Sequence, residues 1–248
     1  MKAVGIIGYK KSGKTSLLVE LARELSLRGI KISSIKSVSD SLDLPDTDTS
    51  KHRAFTNQTA AISPNESVVF FSERKSLDQM LFYLSADIIL IEGFKSEKTF
   101  PKIICLRSDS ELESLSDGLE ICIVKENPDN ELNSQVPIFS AKRDISKIAD
   151  LVIKKSFKLP GIDCGACGYD SCYDLATRII REEENIDSCL ALNPSVKITI
   201  NGHFLPIKPF ISDFIRNTVK GMLSSLKNYE DGDIQLHIPN IYGGDKND

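Results

Sequence analysis

The chain has 248 residues, a length that predicts one large domain with a smaller addition. Its 41% hydrophobic and 27% charged residues are typical of globular proteins and exclude a disordered, fibrous or disulfide-scaffold chain. The net charge is −4, and the sequence has no stripe of basic residues of the kind that binds nucleic acid. No apolar run approaches the roughly 18 residues of a membrane span, and the apolar stretch before Lys10 is too short for a signal peptide. We therefore predict a cytoplasmic protein that contacts no membrane.

Strand and helix patterns alternate along the first 156 residues. The chain is predicted to begin with a βαβ unit, made of a strand at Ala3–Ile7, a helix at Lys14–Leu27 and a strand at Lys31–Ile35. Further strands are predicted at Val68–Phe71, Ile88–Ile91, Ile103–Leu106, Ile121–Val124 and Pro137–Phe139, with helices over residues 77–84 and 145–153. Near-continuous Ile, Val and Leu in the strands implies burial on both sides. The pattern therefore predicts an α/β fold with a mostly parallel sheet and helices on both faces.

The pattern changes after Ser156, where the sequence KLPG interrupts the last helix. A cluster of cysteines follows this interruption. We therefore divide the chain into three predicted units: an α/β domain over residues 1–156, a cysteine-rich domain over 157–193 and a small C-terminal unit over 194–248.

The C-terminal unit is predicted to have the order ββαβ. Val196, Ile198 and Ile200 alternate with polar residues, and the following Asn-Gly pair is a strong signal for a two-residue hairpin turn. A returning strand, a helix over residues 211–226 and a last alternating strand over residues 234–238 complete the unit. The polar tail from Gly243 is predicted to fray.

The sequence GYKKSGKT, from Gly8 to Thr15, fits the phosphate-loop pattern GxxxxGK[ST]. It lies directly between the first predicted strand and helix, the context that this motif requires, and the helix N-terminus adds a positive dipole. Lys14 is predicted to reach the β and γ phosphates, and the Thr15 hydroxyl to bind magnesium. The motif predicts a sheet of the P-loop NTPase type, with the nucleotide held by Gly8, Lys11, Ser12, Gly13, Lys14, Thr15 and Ser16.

A magnesium-dependent nucleotide site also needs a carboxylate at the carboxyl edge of the sheet, where open α/β sheets bind their ligands. The strand from Asp87 to Glu92 offers one carboxylate at each end, about 16 Å apart. We predict that Glu92 binds magnesium or positions water, and that Asp87 is a turn residue at the start of the strand.

The base of the nucleotide is harder to predict. The chain has no NKxD sequence, the usual guanine reader of GTPases. Ser140, Ala141 and Lys142 are similar to the SAK loop that assists guanine binding in many GTPases. A simple turn before the next helix explains these three residues equally well.

Four of the six cysteines, Cys164, Cys167, Cys172 and Cys189, fall within 26 residues. Such clustering predicts metal ligands or redox groups, and we favour an iron–sulfur cluster because nearby glycines let backbone N–H groups approach its sulfur atoms. Zinc is the alternative, although the spacing lacks the two short ligand pairs of common structural zinc sites. The remaining two, Cys105 and Cys122, are predicted to be buried strand residues.

Residues 1 to about 156 resemble the MobB family of GTP-binding accessory proteins in molybdopterin guanine dinucleotide synthesis. The resemblance rests on GYKKSGKTSLL, ADIILIEGFKSE and PKIICLR, and the stretch from Glu92 to Lys95 is the most specific to the family. Pro45, Asp48, Thr49 and His52 resemble a family loop that lies over the nucleotide and approaches the magnesium. Asp46, Thr47, residues 55–57 and Ser37 depart from the family's residues in this region.

Residues 160–190 resemble a small domain that binds a 4Fe-4S cluster through four cysteines in the pattern CxxCGxxxC followed by a distant cysteine. Together, the two resemblances imply a slow GTPase that uses GTP, Mg²⁺ and a 4Fe-4S cluster in molybdenum or tungsten cofactor biosynthesis. They imply as partners a MobA-type guanylyltransferase, molybdopterin and its enzymes, and a second copy in a homodimer. The resemblance then makes Asp48 a further candidate catalytic residue, beside Lys14 and Glu92. Two alternatives stay open: an iron–sulfur electron-transfer or metal-delivery protein with a secondary nucleotide site, and a P-loop small-molecule kinase.

Overall fold

The computed structural model describes residues 1–39, 42, 46–128 and 132–239. In chain order, the elements are β1 (Lys2–Ile7), α1 (Lys14–Leu27), β2 (Ile32–Lys36), α2 (Asp48–Arg53), β3 (Gln58–Ile62), β4 (Ser67–Phe71), α3 (Leu77–Leu81), β5 (Ile88–Glu92), β6 (Lys102–Cys105), α4 (Leu112–Leu115), β7 (Glu120–Val124), β8 (Ile138–Phe139), α5 (Ile145–Lys155), α6 (Cys172–Ile180), β9 (Ile198–Ile200), β10 (His203–Leu205) and α7 (Pro209–Ser224).

The central sheet has six strands in the order β2-β5-β1-β6-β7-β8, and every neighbouring pair is parallel. Helices α1 and α5 cover one face, where Leu21 and Val152 join the sheet residues in one apolar core. On the other face Leu81 of α3 and Leu115 of α4 belong to two further apolar clusters. The predicted α/β fold, a mostly parallel sheet with helices on both faces, is confirmed.

The strands next to the phosphate loop are buried along most of their length. β5 is buried at all five positions, and β1 at all but its first. Because helices cover both faces of the sheet, these strands carry apolar residues continuously instead of alternating them. The exception is the last residue of β5, Glu92, which places a carboxylate at the carboxyl edge of the sheet.

The strand predicted at Val68–Phe71 forms, but it does not join the central sheet. As β4 it pairs antiparallel with β3 in a separate hairpin. Val68 and Val69 are 43% and 53% exposed there. An apolar run does not identify its partner strand, and no strand was predicted at β3, so the prediction that Val68–Phe71 joins the central sheet was wrong.

The C-terminal unit contains the predicted hairpin and helix but not the predicted last strand. Asn201 and Gly202 between β9 and β10 have φ angles of +51° and +80°, as a type I′ hairpin turn requires. Residues 234–238 form no strand, and Ile238 is 77% exposed. The unit is therefore ββα over the described residues, because alternation alone does not supply a strand with a pairing edge. Residues from Gly243 onward lie outside the described residues.

Helix α7 is 16 residues long. Within the part of the chain that the structure describes, no helix is both long and apolar enough to cross a membrane.

The cysteine-rich segment packs against the end of the sheet. The Leu159 N–H donates to the Thr99 carbonyl at 2.8 Å, and the Tyr173 hydroxyl donates to the Asp117 carbonyl at 2.6 Å. Leu119, just before β7, lies in the same apolar core as Cys172. The segment is thus attached to the α/β domain through specific contacts, while the division of the chain into three units stays a prediction.

Candidate functional site

The phosphate loop connects β1 to α1 at the carboxyl edge of the sheet. A Cβ on Gly8 would lie 2.4 Å from both the Cys105 carbonyl oxygen and the Ser12 hydroxyl, so only glycine fits there. Gly13 caps α1 with a φ of +83°, a left-handed conformation that favours glycine. Lys11 also has a positive φ, of 65°. These conformations give the tight turn by which such a loop presents its backbone N–H groups.

The Lys14 side chain is folded over the loop. Its ammonium donates to the Tyr9 carbonyl at 2.6 Å and lies 3.5 Å from the Ser12 hydroxyl. Burial lowers the pKa of Lys14, and the nearby Lys95 and Lys36 lower it further, whereas Glu92 opposes the change. The Lys14 ammonium is therefore bonded within its own loop. A bound anion would interact with this ammonium more strongly than the Tyr9 carbonyl does.

Thr15 and Glu92, the two predicted magnesium ligands, are in direct contact. The Thr15 hydroxyl donates to Glu92 Oε1 at 2.9 Å. The Lys36 ammonium lies 3.0 Å from the same Glu92 oxygen and 3.3 Å from the Thr15 hydroxyl. The structure thus brings together one hydroxyl and one buried carboxylate, both oxygen ligands of the kind that magnesium prefers.

A second cation lies beside the loop. The Lys95 ammonium stands 3.7 Å from the centre of the Tyr9 ring, and the Tyr9 hydroxyl is hydrogen-bonded to Ser114 at 3.1 Å. The Arg107 guanidinium is 6.0 Å from the same ring and is ion-paired with Glu111. No site role was predicted for Lys36, Lys95 or Tyr9. Each of them ends or follows a strand of the sheet, and this position could have indicated that they lie at the ligand-binding edge.

Asp87 and Asp48 lie elsewhere. The Asp87 carboxylate accepts the Lys31 N–H at 2.8 Å, which makes it a turn residue at the start of β5, as predicted. The Asp48 side chain is 94% exposed and pairs with Lys51 at 3.3 Å. Within the described ranges, the structure places no contact between Asp48 and either Thr15 or Glu92.

Other residues of the predicted loops are placed as follows. His52 is exposed near the end of α2. Pro45 lies outside the described residues. The Ser140 N–H donates to the Asp144 carboxylate at 3.1 Å, directly before α5, which is the arrangement of a turn before a helix.

The four clustered cysteines line a single cavity. Its walls also include Ile162, Tyr169, Leu175 and Ala191. Cys172 and Cys189 are buried, and Cys164 and Cys167 are half-buried. The described residues contain no group of three His, Cys, Asp or Glu side chains arranged around a single metal ion. What the geometry provides is one apolar cavity with four sulfur atoms on its wall.

Burial and the surrounding backbone act in opposite directions on the two buried thiols of this cavity. Burial raises the pKa of Cys172, and backbone hydrogen bonds from Asp163, Gly161 and Ile162 oppose the rise. Burial likewise raises the pKa of Cys189, against backbone hydrogen bonds from Leu192 and Ala191. Four cysteines on the wall of one cavity are the thiolate donor set that a 4Fe-4S cluster requires, so the chemistry of the residues present fits a cluster.

The other two cysteines are buried in the sheet, as predicted. Cys105 ends β6 and Cys122 lies in β7, and both are at most 1% exposed. Burial raises the pKa of the Cys105 thiol to about 12, so it stays protonated and inert beside the phosphate loop.

Two family models match separate segments of the chain. The model described as "Molybdopterin guanine dinucleotide synthesis protein B" (MobB) matches residues 3–127, half of the chain. A second model, described as "Putative Fe-S cluster", matches residues 159–191, the segment that contains all four clustered cysteines.

Curated relatives and solved structures agree with the first match. The chain is similar to a "Putative molybdopterin-guanine dinucleotide biosynthesis adapter protein" of Methanocaldococcus jannaschii, with 28% identity over 92% of each chain. A Haemophilus influenzae adapter protein of the same name is 32% identical over 43% of this chain and 64% of its own. The crystal structure of Bacillus subtilis MobB, at 22% identity, covers 63% of this chain and 99% of its own with a TM-score of 0.54. This structural likeness shows the fold.

Proposed function

Because this chain belongs to the MobB family, we propose that it is a GTP-binding adapter protein of molybdopterin guanine dinucleotide biosynthesis with slow GTPase activity. The observation that carries this proposal is the contact of Thr15 with Glu92 at the mouth of the phosphate loop. It puts a hydroxyl and a carboxylate together where magnesium of a bound nucleotide would lie.

Each residue of the loop has a defined part in this proposal. Backbone N–H groups from Gly8 to Ser16 would surround the phosphates, Lys14 would neutralise their charge, and Thr15 with Glu92 would hold Mg²⁺. Bound magnesium would neutralise charge that develops on the phosphates. Hydrolysis is slow in P-loop proteins that lack a supplied arginine, and Arg107 is held by Glu111 instead of facing the phosphates freely.

The nucleotide affinity should depend on Lys14. We expect Lys14→Ala to weaken magnesium–GTP binding at least tenfold, about 1.4 kcal/mol, because the loop then lacks its side-chain cation against the β and γ phosphates. Isothermal titration calorimetry measures the loss, and Lys154→Ala, which removes an exposed lysine of α5 outside the loop, serves as the control. Unchanged affinity in Lys14→Ala would contradict the assignment of the loop.

Glu92 should matter for magnesium, and Asp87 should not. We expect Glu92→Gln to lower magnesium-dependent GTP hydrolysis at least tenfold, because an amide replaces the buried carboxylate beside Thr15. Asp87→Asn should leave the rate within about twofold, since Asp87 only accepts the Lys31 N–H. Equal losses in the two variants would show that the magnesium side has been misplaced.

The cysteine cavity supports a 4Fe-4S cluster bound by Cys164, Cys167, Cys172 and Cys189. All four line one apolar cavity, and Cys172 and Cys189 are buried. The cluster would supply one-electron chemistry or a rigid support for the segment. A nucleotide-independent cluster potential would favour the alternative of an electron carrier with a secondary nucleotide site, whereas a MobB-type adapter should prefer GTP.

The partners follow from the same family membership. We propose a MobA-type guanylyltransferase, the molybdopterin cofactor and its enzymes, and a homodimer. We also propose that the chain is divided into three units, over residues 1–156, 157–193 and 194–248. We expect the protein to be cytoplasmic. Co-purification with the guanylyltransferase in the presence and absence of GTP tests the first partner.

A further inference from the structure

Lys36 lies where a magnesium ion would be expected. Its ammonium is 3.0 Å from Glu92 Oε1 and 3.3 Å from the Thr15 hydroxyl, the two proposed magnesium ligands. These two groups are also hydrogen-bonded to each other, so all three polar groups meet at one point. A positive charge of this protein is therefore in contact with both groups that would hold the metal.

The sheet fixes this arrangement. Lys36 ends β2 and Glu92 ends β5, and the two residues are direct partners in the parallel pairing of these strands. The Ser37 N–H donates to the Glu92 carbonyl at 3.0 Å, which holds the two strand ends together. The register thus keeps the two residues side by side, whereas the flexible lysine side chain decides whether the two charged groups touch.

The two members of the pair differ in exposure. The Glu92 side chain is 8% exposed, whereas the Lys36 side chain is 50% exposed on the edge strand of the sheet. A buried carboxylate without a cation is costly, so Glu92 needs a positive partner at all times. Lys36 can supply this partner and can also leave toward solvent, because half of its side chain is already exposed.

We propose that Lys36 is a tethered counter-ion that occupies the magnesium position in the nucleotide-free protein and yields it to the ion that arrives with the nucleotide. The inference rests on the proposed function and adds a regulatory feature to the same site. A free divalent ion must compete with an ammonium that is already in place. An ion bound to nucleotide phosphates brings further ligands and charge, and so displaces the ammonium more readily. The site therefore disfavours metal alone and accepts the metal–nucleotide complex.

The test uses Mn²⁺ alone as the probe, with nucleotide-free protein. Free Mn²⁺ measured by electron paramagnetic resonance should reveal weak binding in the wild type and at least tenfold tighter binding in Lys36→Met, which keeps the length of the side chain without its charge. Lys147→Met is the matched control, because Lys147 in α5 also pairs with a carboxylate, that of Asp144 at 2.8 Å, and its side chain is 69% exposed. This control should bind Mn²⁺ as weakly as the wild type does.

Two further variants keep the result interpretable. Lys36→Arg retains the positive charge and should stay close to the wild type, whereas Lys36→Gln should gain Mn²⁺ affinity as Lys36→Met does. Adding Glu92→Gln to Lys36→Met should abolish the gain, which locates the ion at Glu92. If neither neutral variant binds Mn²⁺ more tightly, while circular dichroism shows both to be folded, the proposal is overturned.

A separate measurement tests whether the protein binds nucleotide at all. Calorimetry with magnesium–GTP on the wild type tests nucleotide binding without reference to Lys36. Absence of GTP binding would remove the nucleotide function, whereas the Mn²⁺ titration would still decide whether Lys36 competes with a metal for Glu92.

Discussion

Cys167→Ser is expected to remove the iron–sulfur cluster. Anaerobically prepared wild type should contain about four iron atoms per chain and absorb broadly in the visible region, and the variant should lose most of both signals. The reason is that Cys167 lies on the wall of the cavity with the other three clustered cysteines, so its loss leaves one iron without its thiolate. Iron and sulfide analysis with the visible spectrum measures the effect.

Cys122→Ala is the matched control for this experiment. Cys122 is also a cysteine that forms no disulfide, but it is fully buried in β7 within the core of the sheet. The control should keep its iron and its colour. A stoichiometric zinc content without iron or sulfide in anaerobic wild type would contradict the iron–sulfur assignment and favour the zinc alternative.

Nucleotide binding should survive the loss of the cluster. The phosphate loop follows β1, whose buried side chains lie in the core of the sheet, whereas the cysteines lie in a separate apolar core to which the sheet side contributes Leu119. We therefore expect local unfolding around residues 160–190 in Cys167→Ser with GTP affinity kept. A large loss of GTP affinity would instead show that the contacts of Leu159 and Tyr173 with the α/β domain couple the two sites energetically.

Lys102→Met should destabilise the protein by about 2 to 4 kcal/mol, because it breaks a buried ion pair. The Lys102 side chain is 1% exposed, and its ammonium donates to Asp117 at 2.5 Å and to the Lys95 carbonyl at 2.8 Å. Burial lowers the pKa of Lys102, and Asp117 opposes this change. Removing the ammonium leaves the half-buried Asp117 carboxylate with only Lys98 as its cation, and it leaves the Lys95 carbonyl without this donor. Urea unfolding of the anaerobically prepared protein measures the loss.

Lys98→Met is the control for this variant. Lys98 pairs with the same Asp117 oxygen at 2.7 Å, but its side chain is 42% exposed. Exposed pairs contribute little because water screens them, so we expect a loss below about 1 kcal/mol. Equal destabilisation in the two variants would show that burial of Lys102 is not the source of the effect. Lys102 is relevant to function because its ammonium binds both the Lys95 carbonyl and Asp117. The carbonyl of Asp117 in turn accepts the hydroxyl of Tyr173 from the cysteine-rich segment.

The phosphate loop and the sheet around it could be predicted from the sequence. Buried parallel strands have continuous apolar runs, and the glycines and lysine of the loop occur at fixed spacing between a strand and a helix. The contact of Thr15 with Glu92, 77 residues apart, also followed from a general rule, since carboxyl ends of parallel strands share one edge. The Asn201-Gly202 turn was equally local, because both residues need a positive φ.

Strand pairing could not be predicted in the same way. β4 has the apolar residues of a sheet strand, yet it pairs with β3 away from the central sheet. Residues 234–238 alternate as a strand does, yet they find no partner in the described structure. In both cases the local pattern fixes only the side-chain period, whereas the hydrogen-bonding partner depends on which edge the folded chain brings near.

The sequence by itself determined the family, the α/β sheet, the position of the phosphate loop and the clustering of four cysteines, because each is encoded in residues close together in the chain. Only the tertiary structure placed Lys36 in contact with Thr15 and Glu92, Lys95 over the Tyr9 ring and Lys102 in contact with Asp117. The physical reason is that a lysine's role depends on which charged group lies within about 4 Å of its ammonium. That neighbour is set by strand order and register, which no short stretch of sequence contains.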